Sequence, residues 1–209
     1  RAFVYTCGPD GIAISGAGPR GTAQGGYYLE DLMNLREAPF LEPTAGPVLR
    51  RPLFSPRMTH SGWGLDLFPE TQLNAIAHAG FDTILLYAKG VDVTTFGNTD
   101  FNDVIRRAEA FGLDTYFYSY LNSFKHPDDP DAEAFFDRQF GSLFQACPGA
   151  RGLILVGESC QFPSKDPATS GRMADYGNAE NAGLADPRPA PGWWPCKDYP
   201  QWLNAVKKA

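Results

Sequence analysis

Four short apolar runs, separated by helical patterns, constrain this chain more than any other feature. The runs are Phe54 to Gly64 with its loop, Phe81 to Tyr87, Leu113 to Leu121 and Gly152 to Val156. Between them, Pro69 to Gly80, Phe101 to Phe111 and Asp131 to Cys147 read as helices. A proline opens the first, Gly80 and Gly112 end the first and second, and Pro148-Gly149 closes the third. Phe81 to Tyr87, bounded by Gly80 and Gly90, is apolar apart from Asp82 and Thr83, as expected of a buried parallel strand. Alternating strands and helices imply a parallel sheet with right-handed crossovers. Four such units are half of an eight-stranded barrel, a fold that takes about 250 residues. A doubly wound sheet is the competing fold, but no glycine-rich phosphate loop follows the first strand. The expected class is α/β: the N-terminal half of a TIM (β/α)8 barrel, preceded by the end of a small α+β domain.

Residues 1–49 differ in character from residues 50–209, and the domain boundary is placed between them. Phe3-Val4-Tyr5 and Gly11 to Gly16 read as strands joined by the turn Gly8-Pro9-Asp10-Gly11. Gly18-Pro19-Arg20-Gly21 reads as another turn. A helix is expected from Thr22 to about Arg36, with Tyr27, Tyr28, Leu32 and Leu35 at helical spacing. Pro39, Pro43 and Pro47 mark a linker. A long proline- and glycine-containing stretch, Ser159 to Lys197, separates the fourth strand from a last helix at Tyr199 to Ala209. Loops of that length are functional or disordered.

In a parallel barrel the C-terminal ends of the strands face the active site. The run Gly152-Leu153-Ile154-Leu155-Val156 ends in Gly157-Glu158, which makes Glu158 the first candidate for chemistry. The bland alternative is a solvated loop glutamate. At the end of the second strand lie Tyr87 and Lys89, two further candidates for substrate binding. On the third, Tyr118, Tyr120 and Asn122 share one face by the period of two. Tyr120 and Asn122 are candidate ligand contacts, and Tyr118 is expected to fill the core. His60, beside Ser61 and Trp63, either hydrogen-bonds a ligand or is a structural histidine. Trp193-Trp194 is either a stacking platform or packs on the barrel rim. No second catalytic carboxylate stands out: Asp92 and Asp166 are weak candidates.

Composition excludes some classes. Lys and Arg are scattered within a net charge of −6, so no nucleic-acid footprint is present. No apolar run reaches the roughly 18 to 20 residues of a membrane span. Aromatic residues make up 13%, which serves either a core or sugar stacking. Cys7, Cys147, Cys160 and Cys196 lack CxxC spacing, so no metal site or cofactor is expected. Buried thiols, one or two disulfides, or crosslinks elsewhere all remain open; a Cys160–Cys196 disulfide would staple the long loop. The start, Arg1-Ala2-Phe3-Val4-Tyr5, is already strand-like, as in a piece of a longer protein, so neither compartment nor oligomeric state is assigned.

The segment Asp10 to Gly16, then Arg20-Gly21, then Gly25-Gly26-Tyr27-Tyr28-Leu29-Glu30-Asp31-Leu32, resembles the small zincin-like α/β domain preceding the barrel of glycoside hydrolase family 20. Family 67 and 115 α-glucuronidases have a similar layout. In these families a proline-rich link and an arginine at the first barrel strand follow, and Arg50-Arg51-Pro52 and Arg57-Met58-Thr59-His60 occupy that place. The resemblance implies a hydrolase of O-glycosidic bonds with a carbohydrate substrate. It implies Glu158 as general acid and Arg57 as the arginine that grips sugar hydroxyls. Family 20 ends its fourth strand in Asp-Glu, the Asp orienting the substrate's 2-acetamido group; here the pair is Gly157-Glu158. Two alternatives follow. One is a non-catalytic carbohydrate-binding relative. The other is an α-glucuronidase-type enzyme in which Arg57 and Lys89 meet a uronate carboxylate.

Overall fold

The computed structural model describes residues 1–62, 66–119, 123–156, 162–168 and 196–209. The order of elements begins β1 (Phe3–Gly8), β2 (Gly11–Gly16), α1 (Pro19–Arg36), β3 (Val48–Arg50) and β4 (Met58–His60). It continues α2 (Glu70–His78), β5 (Thr83–Ala88), α3 (Phe101–Ala110) and β6 (Asp114–Ser119). After α4 (Ala132–Phe136), a π-helical turn and α5 (Ser142–Ala146), β7 (Leu153–Leu155) and α6 (Tyr199–Lys208) complete the set. The fold is mixed α/β. One sheet has three strands in the order β2-β1-β3, and a second has four in the order β4-β5-β6-β7. In the second, β4 runs parallel to β5 and β6 parallel to β7.

Glycine ends two helices by the same device. After α2, Gly80 takes φ 82°, its N–H reaches the Ala77 carbonyl and the Phe81 N–H reaches the Ile76 carbonyl. After α3, Gly112 takes φ 74°, and the N–H groups of Gly112 and Leu113 reach the carbonyls of Glu109 and Ala108. Both are Schellman stops, in which a left-handed residue satisfies the last free carbonyls. Each delivers the chain directly into the next strand.

Two boundaries differ from expectation. The turn expected at Gly18-Pro19-Arg20-Gly21 is the first turn of α1, because Pro19 has a fixed φ suited to a first helical position and the Thr22 N–H already bonds the Gly18 carbonyl. The single helix expected over 131–147 is α-helical at both ends but widens at Asp137–Gly141. A Cβ on Gly141 would lie 2.9 Å from the Ala209 carbonyl oxygen, so the end of α6 crowds this turn.

Packing divides the chain into two units. The first comprises Arg1–Ser61, Leu67–Leu85 and Asp103–Thr115. Its β-sheet core is Phe3, Tyr5 and Leu29, with Ile14, Tyr28, Leu32, Leu41 and Val48 packed against them. Full burial of one such side chain is worth about 1.5–3 kcal/mol. Val48–Arg50, just past the prolines of the expected linker, pairs antiparallel with Phe3–Tyr5 as β3. Arg1 and Arg20 both pair with Asp114, at 3.1 and 2.5 Å.

The second unit comprises Gly62–Asp66, Leu86–Asn102 and Tyr116–Ala209. Its packing centres on Trp202 of α6, which is fully buried. The indole stacks on Phe162 with centroids 5.5 Å apart, and its N–H donates to Ser123 Oγ at 2.7 Å. Phe140 meets the same indole edge-on.

Cys7, Cys147 and Cys196 are buried free thiols. Cys196 hydrogen-bonds with Asp198 and Ser164, and Cys160, the other half of the staple considered above, lies outside the described residues. Burial pushes Cys147 and Cys196 up to about 11, aided by Asp92 and Asp100 for the first and Asp198 for the second. Both thiols stay protonated at neutral pH, and it is the thiolate that reacts. Labelling of the native protein at pH 7 should leave these two unmodified, and unfolding in urea should expose them. Rapid alkylation of either in the native state would contradict their burial.

Candidate active site at the strand ends

A parallel strand has two unlike ends, and β4 carries a candidate at each. Arg57 precedes its first residue and His60 is its last. The Arg57 N–H donates to Asp82 Oδ1 at 2.8 Å and its Nε to Oδ2 at 3.4 Å, while the Asp82 N–H bonds the Arg57 carbonyl. Asp82 is buried. Arg57 is thus a tie between the starts of β4 and β5, at the end opposite to the one expected to face substrate. His60 is exposed and pairs in register with Leu85.

In the second unit, Tyr87 and Lys89 lie at the C-terminal end of β5. The Tyr87 ring is buried and meets Tyr118 edge-on, with centroids 5.1 Å apart and planes at 89°. Lys89 is exposed, and its N–H closes a turn onto the Val93 carbonyl at 2.9 Å. The remaining candidates, Glu158, Tyr120, Asn122 and Trp193, lie outside the described residues.

A further carboxylate belongs to this region and was not singled out in the sequence. Asp66 is 2% exposed, and its Oδ2 accepts the Tyr87 N–H at 2.6 Å. It sits at φ 58°, and Phe68, two residues on, at φ 43°. Left-handed backbone at non-glycine residues is costly and persists only where the surroundings enforce it. Within the first unit, Arg107 supplies part of that enforcement by donating to the carbonyls of Leu67 and Phe68. The available signal was a lone Asp inside the apolar run Leu65-Asp66-Leu67-Phe68.

The two carboxylates weighed earlier have structural duties. Asp92 Oδ1 accepts the Phe101 N–H at the start of α3, at 2.8 Å. Asp166 is buried and accepts the N–H groups of Ala168 and Lys197.

Around Asp166 lies a polar network. Asp198 accepts from Ser164 Oγ at 2.7 Å and from the Lys165 N–H at 2.7 Å, and it lies 3.2 Å from Nε2 of buried His126. The Asp128 N–H donates to His126 Nδ1 at 3.0 Å, which leaves Nε2 as the donor to Asp198. Burial raises Asp198, but hydrogen bonds from Ser164, Lys165 and Cys196 outweigh it and hold the carboxyl below 3.8. The N–H groups of Ala168 and Lys197 likewise lower Asp166, and the His126 N–H and the Lys165 ammonium lower Asp129. A carboxyl depressed in the folded state contributes stability that is present above its unfolded value and lost as pH falls through its folded value. The stability difference between wild type and Asp198→Asn should therefore be full at pH 7 and narrow below 3.8. Urea melts at both pH values measure this, and a difference that stays constant would contradict the assigned bonding.

Among the described residues, no cluster of His, Cys, Asp or Glu is arranged to hold a metal ion, and no helix is long and apolar enough to cross a membrane.

No family model matches the chain, and neither does any curated protein. Among solved structures it is similar to a crystal structure of a beta-N-acetylhexosaminidase, at 13% identity and a TM-score of 0.41. The match covers 66% of this chain and 35% of that one, so the chain spans about a third of that enzyme's length.

Proposed function

We propose that the chain is a glycoside hydrolase whose general acid is Glu158, with residues 1–49 ending a small α+β domain and residues 50–209 forming the first half of a (β/α)8 barrel. The observation that supports this reading most is the parallel sheet itself. β7 is the last strand in the order β4-β5-β6-β7, and Glu158 follows its last residue, Leu155, by three positions in the sequence. Ligands of parallel α/β sheets bind beyond the carboxyl ends of the strands. His60, Lys89, Tyr120, Asn122 and Trp193 are the proposed sugar contacts; Tyr87, whose ring is buried against Tyr118, is left out. Arg57, held at the start of β4 by Asp82, is left out of that set.

Glycoside hydrolysis takes an acid for the leaving oxygen and a second carboxyl group that attacks or activates water. Asp66 is the described carboxylate associated with the end of β5. Its burial and its bond to the Tyr87 N–H suit it to holding the strand end rather than to attacking a sugar. The second group is therefore left unassigned. Gly157, in place of an acetamido-orienting aspartate, favours a second reading as a sugar-binding protein without turnover. A panel of aryl glycosides and uronides, assayed for both hydrolysis and binding, separates the two. Cleavage of any member supports the enzyme; saturable binding without cleavage supports the binding protein and sinks the first reading.

A further inference from the structure

The first unit contains a cavity of about 270 Å³ that the reading of Glu158 does not use. Arg1, Arg50, Arg51 and Arg57 line it, and among the described residues Asp31 is its one lining carboxylate. The charges are not equally free. Arg1 and Arg57 are paired with Asp114 and Asp82, neither of which lines the cavity. Asp31 lies 2.6 Å from His78 Nδ1. Arg50 has no carboxylate partner: it donates to the Tyr28 hydroxyl, with its guanidinium 4.9 Å from the centre of that ring. Arg51 is exposed and, among the described residues, makes no ion pair or hydrogen bond. Two arginines that line one small cavity therefore have no carboxylate partner among the described residues.

A second, independent feature points the same way. Gln24 is 8% exposed and lines the cavity, and no described residue hydrogen-bonds its amide. The amide is open to the cavity rather than sealed from it, so it can donate to whatever fills the cavity. Guanidinium groups match the paired oxygens of carboxylates and phosphates. The volume lies at the small end of ligand sites and suits a molecule of about monosaccharide size.

We propose that this cavity binds a small oxyanion, a carboxylate- or phosphate-bearing molecule of about monosaccharide size, with Arg50 and Arg51 holding the anionic group and Gln24 donating from the cavity wall. The proposal does not depend on Glu158. The test is a titration of the ¹⁵N-labelled protein with inorganic phosphate, glucuronate and glucose in turn, at constant ionic strength. Saturable shifts of the Gln24, Tyr27 and Arg51 amides are expected with phosphate, glucuronate or both, and which of them acts names the oxyanion. Glucose should leave these amides in place. Arg51→Gln, at an exposed position that the fold does not need, should weaken the effective anion roughly tenfold or more. Gln24→Leu, which removes the unbonded amide, should weaken it as well. The proposal is overturned if neither anion shifts these amides, if glucose does so equally, or if Arg51→Gln binds like wild type.

Discussion

Glu158→Gln is expected to lower turnover about 10² to 10⁴-fold, the contribution a positioned general acid makes. The amide keeps the size of the side chain and can still hydrogen-bond a glycosidic oxygen. It has no proton to give as the bond to the leaving group breaks. The loss is therefore confined to the transition state, where each factor of ten corresponds to about 1.36 kcal/mol of barrier. kcat and kcat/KM should fall together, with little change in sugar affinity measured at equilibrium. A variant that hydrolyses as fast as wild type would make Glu158 a bystander. A variant that stops binding sugar would make it a ligand contact rather than an acid.

The largest effect on stability is expected at Trp202. Trp202→Ala should cost about 3–5 kcal/mol, the range for removing a large buried aromatic side chain. The indole is fully buried between Phe162 and Phe140, and Tyr199 lies 5.4 Å away on the same helix. Removing it leaves a cavity against three aromatic rings and strands the buried Ser123 hydroxyl. Trp202→Phe separates these contributions. It retains a ring over Phe162 but not the N–H, so about 1–3 kcal/mol should be lost. Urea midpoints give both values, provided the dependence on denaturant keeps its slope. A Trp202→Ala loss below about 1 kcal/mol would mean that α6 is not anchored as described.

The strand-helix rhythm was legible because its punctuation is local. Gly80 and Gly112 stop their helices by backbone conformations that a single residue dictates, and Ile84 to Ala88 is apolar because β5 is buried along its whole length. The first strand of that rhythm was overread. Leu53 and Phe54 invite inclusion in an apolar run, yet they are 97% and 69% exposed, and β4 is only Met58–His60. Pro52 and Pro56 have no N–H to give a ladder, which shortens what can pair. β3 was missed for a related reason: three residues after a proline-rich link carry too little pattern to reveal a partner some forty residues upstream. At the candidate site, chain order suggested which residues follow each strand. It gave no sign that Asp66 returns to the Tyr87 N–H, or that Arg57 turns to Asp82, because both bonds join segments more than twenty residues apart. The cavity beside Arg50 and Arg51 was hidden in the same way, since its walls come from five separate stretches of the first unit.

The most direct test of Glu158 as general acid is the dependence of turnover on the leaving group. Dinitrophenyl glycosides depart without protonation, whereas alkyl or simple phenyl glycosides need a proton on the leaving oxygen. If Glu158 is the acid, Glu158→Gln should cleave the activated substrate at close to the wild-type rate for bond breaking and lose at least about 10²-fold on the unactivated one. An equal loss on both substrates, or none on either, would contradict the assignment.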